Sequence, residues 1–261
     1  MILKSTIREF LRRERNDYTW YKKLTDSELN QRRDRLPIDP PIWNRLKLHQ
    51  KQGLLLGIRL KKLAYWYSTG TGKTMMSLAL LRYFEEKGTL TRALVLVPNL
   101  VNKAEWEQEI QKHSRRTPYA ILEGSSKQKL ALLEEQDTKL FIETYAGLAR
   151  MLSIMTKVRM RNGKVKDKLI PDKKLINDLA KTVNMIVLDE SGAVGTKASL
   201  QHRTIYKLCK QAKYVYLLNG TPFGRDPTPL WGQMRCVDNG DTLGGSLSLF
   251  RAVFFKEVPN G

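Results

Sequence analysis

The sequence predicts an α/β fold built on a mainly parallel, doubly wound sheet flanked by helices. From Arg92 onward, short β-rich apolar runs alternate with amphipathic helical stretches, which is the pattern of βαβ units. A glycine-rich loop at residues 68–72 stands directly between a strand-like and a helix-like run. The hydrophobic content of 41% over 261 residues is enough for a packed core. These observations favour one α/β core with a small accessory region.

Strands are predicted where apolar residues run almost without interruption, as buried parallel strands require. These runs are residues 61–67, 93–97, 119–122, 140–144, 185–189 and 214–218. Helical periodicity fills much of the sequence between them. The helices are expected at residues 73–86, 102–113, 127–135, 145–154, 173–181, 198–210 and 228–237. Gly88 suits the left-handed cap that ends the first of these helices.

Two segments depart from this alternation. Residues 1–45 are polar and basic, with helical patches and a proline-rich break at 36–41, and are predicted to form an appended helical segment and linker to a lobe at 46–261. Residues 155–169 are predicted to form an inserted β-hairpin. Asn162-Gly163 is the strongest two-residue turn signal, and the flanking residues alternate.

The charge balance points to an anionic partner. The chain has 46 Lys and Arg against 26 Asp and Glu, a net charge of +20 at pH 7. Nucleic acid is the leading predicted partner, with an anionic membrane surface second. No apolar run approaches the ~20 residues that cross a bilayer, and no membrane role is expected. The two cysteines and three histidines lack metal-ligand spacing, so neither a zinc site nor a disulfide framework is expected.

Residues 68–74, Ser-Thr-Gly-Thr-Gly-Lys-Thr, have the composition of a phosphate-binding loop. Glycines let backbone N–H groups close around a phosphate, and the helix N-terminus adds partial positive charge. Lys73 would reach the β- and γ-phosphates, and the Thr74 hydroxyl would ligate Mg²⁺. Tyr67 replaces the first glycine of the strict pattern, but Gly70 and Gly72 keep the inner positions. The predicted nucleotide-binding residues are Thr69, Gly70, Thr71, Gly72, Lys73 and Thr74.

Asp189-Glu190 ends the apolar run 185–189 and forms the second predicted half of the site. A carboxylate pair at a strand end can hold Mg²⁺ through one member and polarise an attacking water with the other. We assign Asp189 to the metal and Glu190 to the water. The predicted catalytic residues are Lys73 and Glu190.

In their order along the chain, these segments resemble the motifs of superfamily-two helicases, and most closely those of the Swi/Snf-type translocases. Residues 46–53 are similar to the adenine-reading motif, with Gln50 as its glutamine. The further resemblances are residues 94–110 to motif Ia, 142–145 to motif Ib, 189–192 to motif II and 218–222 to motif III. The resemblance covers roughly residues 46–255.

The resemblance implies a RecA-like lobe that binds ATP and Mg²⁺ and works as an ATP-dependent DNA translocase or helicase. It implies that double-stranded or branched DNA crosses the loops at Pro98-Asn99 and Thr144-Tyr145. The family has a second RecA-like lobe with an arginine finger, so we expect this chain to be the first lobe alone. The second lobe would act in cis or in trans, and the isolated lobe is expected to hydrolyse ATP weakly or not at all. The expected setting is the cytoplasm of a bacterial or phage-infected cell, in association with the nucleoid, or the nucleus if the protein is eukaryotic.

Two departures affect the positions that relay ATP state to nucleic acid in this family, namely Gly192, Asn219, Gly220 and Thr221. Gly192 stands where His or Asp is usual, and Asn219 where Thr or Ser is usual. The alternative function is therefore a non-motor, ATP-gated DNA-binding module that has lost coupling. A small-molecule kinase would explain neither the net charge nor motifs Ia, Ib and III.

The inserted hairpin carries a second predicted DNA contact. Lys157, Arg159 and Arg161 are expected on one side of the ribbon together with Lys164, Lys166 and Lys168. Like charges on neighbouring positions of paired strands destabilise the pairing unless phosphate groups neutralise them. The alternative is a solvated hairpin whose lysines only prevent edge-to-edge pairing.

Overall fold

Six parallel strands form the centre of the lobe. The computed structural model describes residues 19–33, 36–38, 40–135, 137–159, 163–194, 199–222, 226 and 228–255. The described strands are β1 (Lys62–Trp66), β2 (Ala93–Val97), β3 (Tyr119–Ile121), β4 (Leu140–Thr144), β5 (Ser153–Arg159), β6 (Val165–Pro171), β7 (Met185–Asp189) and β8 (Tyr214–Asn219). The sheet order is β1-β8-β7-β2-β4-β3, and all its pairs are parallel. The predicted fold class is confirmed.

Helices cover both faces of this sheet. They include α1 (Asp26–Arg33), α2 (Pro40–Arg45), α3 (Leu48–Leu60), α4 (Lys73–Glu86), α5 (Leu100–His113), α6 (Ser126–Leu132), α7 (Tyr145–Met151), α8 (Lys173–Thr182), α9 (Leu200–Gln211), α10 (Thr228–Asp238) and α11 (Leu247–Phe254). Within the described ranges, none is long and apolar enough to span a membrane. The helix expected at 145–154 ends at Met151, because the chain enters β5 two residues later.

Two hydrophobic cores lie on opposite faces of the sheet. In β2, Ala93, Val95 and Val97 face the first core, while Leu94 and Leu96 face the second. This alternation follows from the two-residue period of a strand. Helices α3, α4 and α5 cover the first core, and α7 to α10 cover the second. The uninterrupted apolar character of β2 therefore reflects burial on both sides.

The helical N-terminal segment packs into the first core. Leu29 of α1 and Trp43 of α2 are fully buried there, and Leu24, Ile38 and Ile42 join them. The proline-rich break contains the start of α2. Short helices bury only one or two side chains each, so the segment is polar on average although it contributes core residues. Residues 1–18 lie outside the described ranges.

The inserted hairpin is present as the antiparallel pair β5 and β6, but its register differs from the prediction. Lys157 lies opposite Asp167, Val158 opposite Lys166, and Arg159 opposite Val165. Opposed residues share a face, so Lys157 and Arg159 lie on one face and Lys166 and Lys168 on the other. The prediction that the charges share one side is wrong. A two-residue turn would have paired odd with even positions, and a shift of one residue reverses every side chain of one arm.

Candidate functional site

The loop between β1 and α4 has the form of a phosphate cradle. Gly70 and Gly72 have φ angles of +73° and +77°, which favour glycine. The Lys73 Nζ donates to the carbonyl oxygens of Tyr67 at 2.9 Å and Ser68 at 3.1 Å, so the loop encloses the ammonium group. The Thr71 hydroxyl donates to Ser68 O at 2.8 Å. Lys73 is thus positioned to exchange carbonyl oxygens for phosphate oxygens.

Gln50 joins α3 to this loop. Its side chain is 5% exposed, its Oε1 accepts from Lys47 N at 2.7 Å, and its Nε2 donates to Thr71 O at 2.9 Å. A β-carbon at Gly72 would lie 2.2 Å from the same Nε2. Glycine suits position 72 because of its positive φ, and a side chain there would also displace the Gln50 amide. The predicted contact of Gln50 with adenine stays a prediction.

A small cavity opens beside Gln50. It has a volume of about 120 Å³ and is lined by Tyr21, Lys22, His49, Gln52, Gly53, Leu56 and Tyr67. The His49 and Tyr67 rings meet edge to face, with 6.0 Å between their centroids. His49 Nε2 lies 3.2 Å from Thr71 O, so the cavity borders the phosphate loop directly.

The Asp189 carboxylate is held at the end of β7 by two donors. The Trp106 indole N–H donates to Oδ2 at 2.7 Å, and the Glu190 backbone N–H donates to Oδ1 at 3.0 Å. Tyr145 donates its hydroxyl to the Asp189 carbonyl at 2.7 Å. Burial raises the pKa of Asp189, and the Glu190 charge adds to this, while the Trp106 hydrogen bond opposes it. These contacts fix the orientation of the carboxylate.

Glu190 differs from Asp189 in both exposure and backbone conformation. Its side chain is exposed, and its φ of +46° lies in the left-handed region. For a residue other than glycine, this conformation costs on the order of 1 kcal/mol. The turn separates the two carboxylates, leaving Asp189 largely buried and Glu190 open to solvent.

The side chains fit a magnesium ion that is held jointly with a nucleotide. Asp189 supplies a carboxylate and Thr74 a hydroxyl, and Mg²⁺ is commonly bound by one or two carboxylates together with substrate phosphates. Within the described residues, no three His, Cys, Asp or Glu side chains are grouped to form a metal cage. The donor set therefore suits a metal that is bound with the triphosphate.

Gln233 of α10 connects the segments after β7 and β8. It is fully buried, and its Oε1 accepts from Ser191 Oγ at 2.8 Å and from Asn219 Nδ2 at 3.4 Å. Its Nε2 donates to Pro222 O at 2.5 Å. One amide thus ties the acidic pair's turn to the loop that follows β8.

Gly192 and Asn219 fit each other in space. A β-carbon at Gly192 would lie 3.3 Å from the Asn219 Nδ2, so a larger residue at 192 would press on the amide. The Asn219 Oδ1 accepts from Thr221 N at 3.2 Å. At Gly220 a β-carbon would lie 3.3 Å from Thr69 Cγ2, which shows how closely this loop approaches the phosphate loop.

A buried ion cluster stands at the end of β4. The Glu143 carboxylate is completely buried; its Oε1 lies 2.8 Å from the Lys103 Nζ, and its Oε2 pairs with Lys129. The Thr144 backbone N–H donates to Glu143 Oε1 at 2.6 Å. The Thr144 hydroxyl in turn accepts from Gly147 N at 3.0 Å and caps α7. Glu143 therefore sets the path of the chain where β4 passes into α7.

The predicted nucleic-acid contacts have different outcomes. Asn99 is exposed and caps α5 by accepting from Asn102 N at 3.2 Å, and Pro98 is half-buried beside it. Tyr145 is 1% exposed and uses its hydroxyl on Asp189, so a direct side-chain contact with DNA is excluded for it. A contact through the side chain of Tyr145 is therefore ruled out, because the residue after this strand end turns into the core, and only its backbone remains in the predicted DNA contact. Arg161 lies outside the described residues.

A sequence profile of the SNF2-related domain matches residues 67–252, more than half of the chain. The chain belongs to the SNF2-related family. A curated relative of this SNF2-related chain is putative protein p41 of Acyrthosiphon pisum secondary endosymbiont phage 1, with 26% identity over 203 residues. That match covers 76% of this chain and 40% of the phage protein, so the chain spans about two fifths of its relative.

Solved structures agree on the fold of the SNF2-related chain. The Sulfolobus solfataricus SWI2/SNF2 ATPase core in complex with dsDNA matches with a TM-score of 0.59 and 22% identity, covering 80% of this chain and 38% of that one. The SWI2/SNF2 ATPase core domain of the same organism matches with a TM-score of 0.57 and 24% identity, covering 83% and 38%. The resemblance inferred from the motifs is confirmed, as is the RecA-like fold.

Three residues of the SNF2-related site carry roles that sequence reasoning missed. Trp106 was part of the motif Ia resemblance, but nothing local linked it to Asp189. Glu143 lies in the segment that resembles motif Ib, but nothing in the sequence indicated that Lys103 and Lys129 are its partners. Gln233 stood in a predicted helix with no functional signal at all. Each acts through a partner at least 40 positions away, or through several partners at once.

Replacing Trp106 with phenylalanine tests the hydrogen bond to Asp189 in the SNF2-related chain. We expect the Mg²⁺ concentration for half-maximal ATP binding to rise about tenfold, because a partner of a metal-binding carboxylate commonly contributes this much. Fluorescent-ATP titrations at varied Mg²⁺ measure it. Trp43→Phe is the matched control, since it removes another buried indole hydrogen bond, to Asn30 at 2.8 Å. Equal shifts in both variants would contradict the assigned role.

Proposed function

We propose that this chain is the first motor lobe of an ATP-driven DNA translocase. The order of strands at the carboxyl edge of the sheet carries the proposal. The phosphate loop follows β1, residues 219–221 lie at the end of β8, and the acidic pair lies at the end of β7, and these three strands are neighbours. The loops after β2 and β4 continue along the same edge. The order supports a nucleotide site at one end and a DNA track at the other, with a relay between them.

Each side chain has a defined task in this proposal. Lys73 binds the β- and γ-phosphate oxygens, and the backbone N–H groups around Gly70 and Gly72 close on the phosphates. Asp189 and Thr74 would hold Mg²⁺, which neutralises charge on the phosphates when it is bound. The exposed Glu190 carboxylate polarises the attacking water. The hydrogen bond from Trp106 keeps the Asp189 carboxylate oriented. Trp106 is a positioning residue in this proposal and has no contact with the nucleotide.

We propose that adenine occupies the cavity near Gln50. The walls combine aromatic rings with polar groups, and the cavity borders the phosphate loop through His49 and Gln50. Small-molecule sites are commonly apolar clefts with a few placed polar groups. Gln50 does not itself line this cavity, but its Nε2 donates to Thr71 O, so it would link base binding at the neighbouring His49 to the phosphate loop.

DNA would be held mainly through its phosphates. Pro98-Asn99 and Thr144 lie at the strand ends, and the ribbon of β5 and β6 carries Lys157 and Arg159 on one face. The opposite face carries Lys166 and Lys168, so the ribbon can meet phosphates on both sides. The SWI2/SNF2 core that this fold resembles was solved with dsDNA, which favours a duplex substrate. Phosphate contacts are independent of sequence, as a motor requires.

Hydrolysis is proposed to need a second RecA-like lobe, in cis or in trans. The matched relatives are more than twice as long as the part this chain covers, which supports a further lobe. An arginine finger supplied across a cleft contributes about 10³–10⁵ in rate. We expect the isolated chain to bind Mg-ATP but to release phosphate at least 100-fold more slowly than the two lobes together on DNA.

Phosphate release measured with the chain alone, with a separately produced second lobe, and with both plus duplex DNA tests this function. Glu190→Gln in the two-lobe mixture is the control, because it removes the base and should abolish the stimulated rate. Robust DNA-stimulated turnover by the chain alone would refute the need for a second lobe. Failure of the mixture to respond to DNA would refute the motor.

The non-motor alternative predicts that the nucleotide site and the DNA track are uncoupled. The Ser191–Gln233–Asn219 network favours the motor, because it joins the turn after the acidic pair to the loop beside the phosphate loop. Gly192 and Asn219 also lie next to each other, since a β-carbon at Gly192 would be 3.3 Å from the Asn219 Nδ2. A relay built from these contacts would replace the usual one.

Gln233→Leu tests this relay. It keeps the side-chain volume but removes every hydrogen bond of the amide. We expect the ratio of DNA dissociation constants with and without ATP to fall to about 1, from an ordinary coupling of about 5- to 150-fold, while ATP affinity changes less than about threefold. DNA-binding isotherms measure it, with the exposed Gln211→Leu as control. A wild-type ratio of 1 would support the non-motor alternative instead.

A further inference from the structure

A basic groove lies around the C-terminal end of α5. One cavity of about 400 Å³ lies between α2, α4 and α5, and six of its lining residues are basic: Arg45, Arg82, Lys112, His113, Arg115 and Arg116. A second cavity of about 530 Å³ adjoins it and shares Lys112 and Arg115. Among the described residues, no Asp or Glu lines either cavity. We call the two cavities together the α5 groove.

The α5 groove is far from the nucleotide site. Helix α5 begins at the edge where the parallel strands end, and it ends at His113, ahead of the start of β3. With 14 residues, the helix separates its two ends by about 21 Å. The α5 groove therefore lies at the edge where the strands begin, away from the loops assigned to ATP and DNA.

Most of the charge in the α5 groove is not neutralised by carboxylates. Arg82 pairs with Glu85 at 2.8 Å and Glu86 at 3.0 Å. Arg115 uses its Nε on Gln111 O at 2.7 Å, which is one of the five donors of a guanidinium. Lys112, Arg115 and Arg116 are all exposed. Capping of the α5 carbonyls explains one or two cations at this end, but not the four lysine and arginine side chains, Arg45, Lys112, Arg115 and Arg116, that line the cavity besides Arg82.

His113 lies in the wall of the α5 groove. Burial lowers its pKa, and the positive charges of Lys112 and Arg45 lower it further, while Glu109, 3.5 Å from Nε2, opposes them. Its Nδ1 is buried without a hydrogen-bond partner among the described residues. Lys112 and Arg45 therefore both act on His113, although burial and the Glu109 charge act on it more strongly.

We propose that the α5 groove binds the phosphate backbone of a second nucleic-acid segment. An extended ligand is favoured over a single phosphate, because two adjoining open cavities share one basic wall. Arginine predominates, and its planar fork matches phosphate oxygens in pairs. The net charge of +20 also fits a nucleic acid better than a small anionic ligand. The protein would then hold two DNA segments on opposite edges of one lobe.

The triple variant K112S/R115S/R116S tests the proposal against a matched control, K181S/K210S/K213S. The control removes three exposed lysines near the same edge, but on or beside helices that cover the other face of the sheet. The protein is loaded on an immobilised duplex without nucleotide, and capture of a second, labelled duplex is measured at several salt concentrations. Melting curves verify folding, and K112S/R116S spares the Arg115 bond to Gln111.

Wild type and control should capture the second duplex, while the triple variant should capture about tenfold less. For the triple variant, the slope of log binding constant against log salt concentration should be smaller in magnitude by about 2 to 3, as the loss of three phosphate contacts predicts. Equal capture by triple variant and control would overturn the proposal, as would no capture by wild type. Binding of polyglutamate, a model acidic polypeptide, is measured in parallel. If the triple variant loses polyglutamate binding but still captures the second duplex, the proposal is overturned in favour of an acidic protein partner. Because ATP is absent, these outcomes are independent of whether the lobe is a motor.

Discussion

Replacing Lys73 with alanine should weaken ATP binding by about 100-fold. The ammonium group now donates to two carbonyl oxygens of the loop, and these bonds can be exchanged for phosphate oxygens. A hydrogen bond to a charged group contributes about 1.5–3 kcal/mol, so the loss of one or two such bonds gives an effect of this size. Titration of a fluorescent ATP analogue into the chain in the presence of Mg²⁺ measures the dissociation constant.

Lys87→Ala is the control for this variant. Lys87 is exposed and caps the other end of α4, so its replacement removes the same charge from the same helix. Its ATP affinity should stay within about twofold of wild type, because exposed charges more than a Debye length of ~8–10 Å away are largely screened. Equal weakening in both variants would show that net charge, and not the loop, governs nucleotide affinity.

Replacing Glu143 with alanine should destabilise the fold by about 3–5 kcal/mol. The substitution leaves Lys103, whose side chain is 5% exposed, without its buried counter-ion. It also removes the acceptor for Thr144 N at the entry to α7. For a chain of this size, the melting temperature should fall by roughly 6–20 °C. Thermal and urea unfolding measure it.

The double variant K103M/E143M separates charge from packing. Replacing a buried ion pair with apolar residues of similar volume is often neutral or stabilising, so most of the lost stability should return. Lys129, whose side chain is 14% exposed, can turn its ammonium group to solvent. A melting temperature within about 2 °C of wild type for E143A itself would show that the cluster does not stabilise the lobe.

Local patterns predicted the elements of the sheet closely. The run 93–97 became β2 with the same bounds, since a short unbroken apolar run is typical of a strand that is buried on both faces. The phosphate loop was equally local, because seven consecutive residues contain its glycines, its lysine and its hydroxyl. The predicted helix at 145–154 is longer than α7, because strand β5 of the ribbon begins at Ser153.

The site was predicted only in part. Asp189 and Glu190 stand next to each other, so their placement at a strand end follows from the sequence. Tyr145 was assigned to DNA from its motif position, but the fold turns its ring inward beneath Asp189. The ribbon charges were assigned to one side from an assumed two-residue turn, and a difference of one residue in register placed them on two faces.

The sequence by itself determined the parallel sheet, the phosphate loop and the acidic pair, because each depends on neighbouring residues and on the period of its own element. The tertiary structure decided which distant side chains meet. Trp106 and Asp189 are 83 positions apart, and Ser191 and Gln233 are 42 apart, yet both pairs are hydrogen-bonded. A hydrogen bond requires an approach within about 3 Å. Only the packing of whole helices on the sheet sets distances that small, and the same packing brings six basic residues from three parts of the chain into the α5 groove.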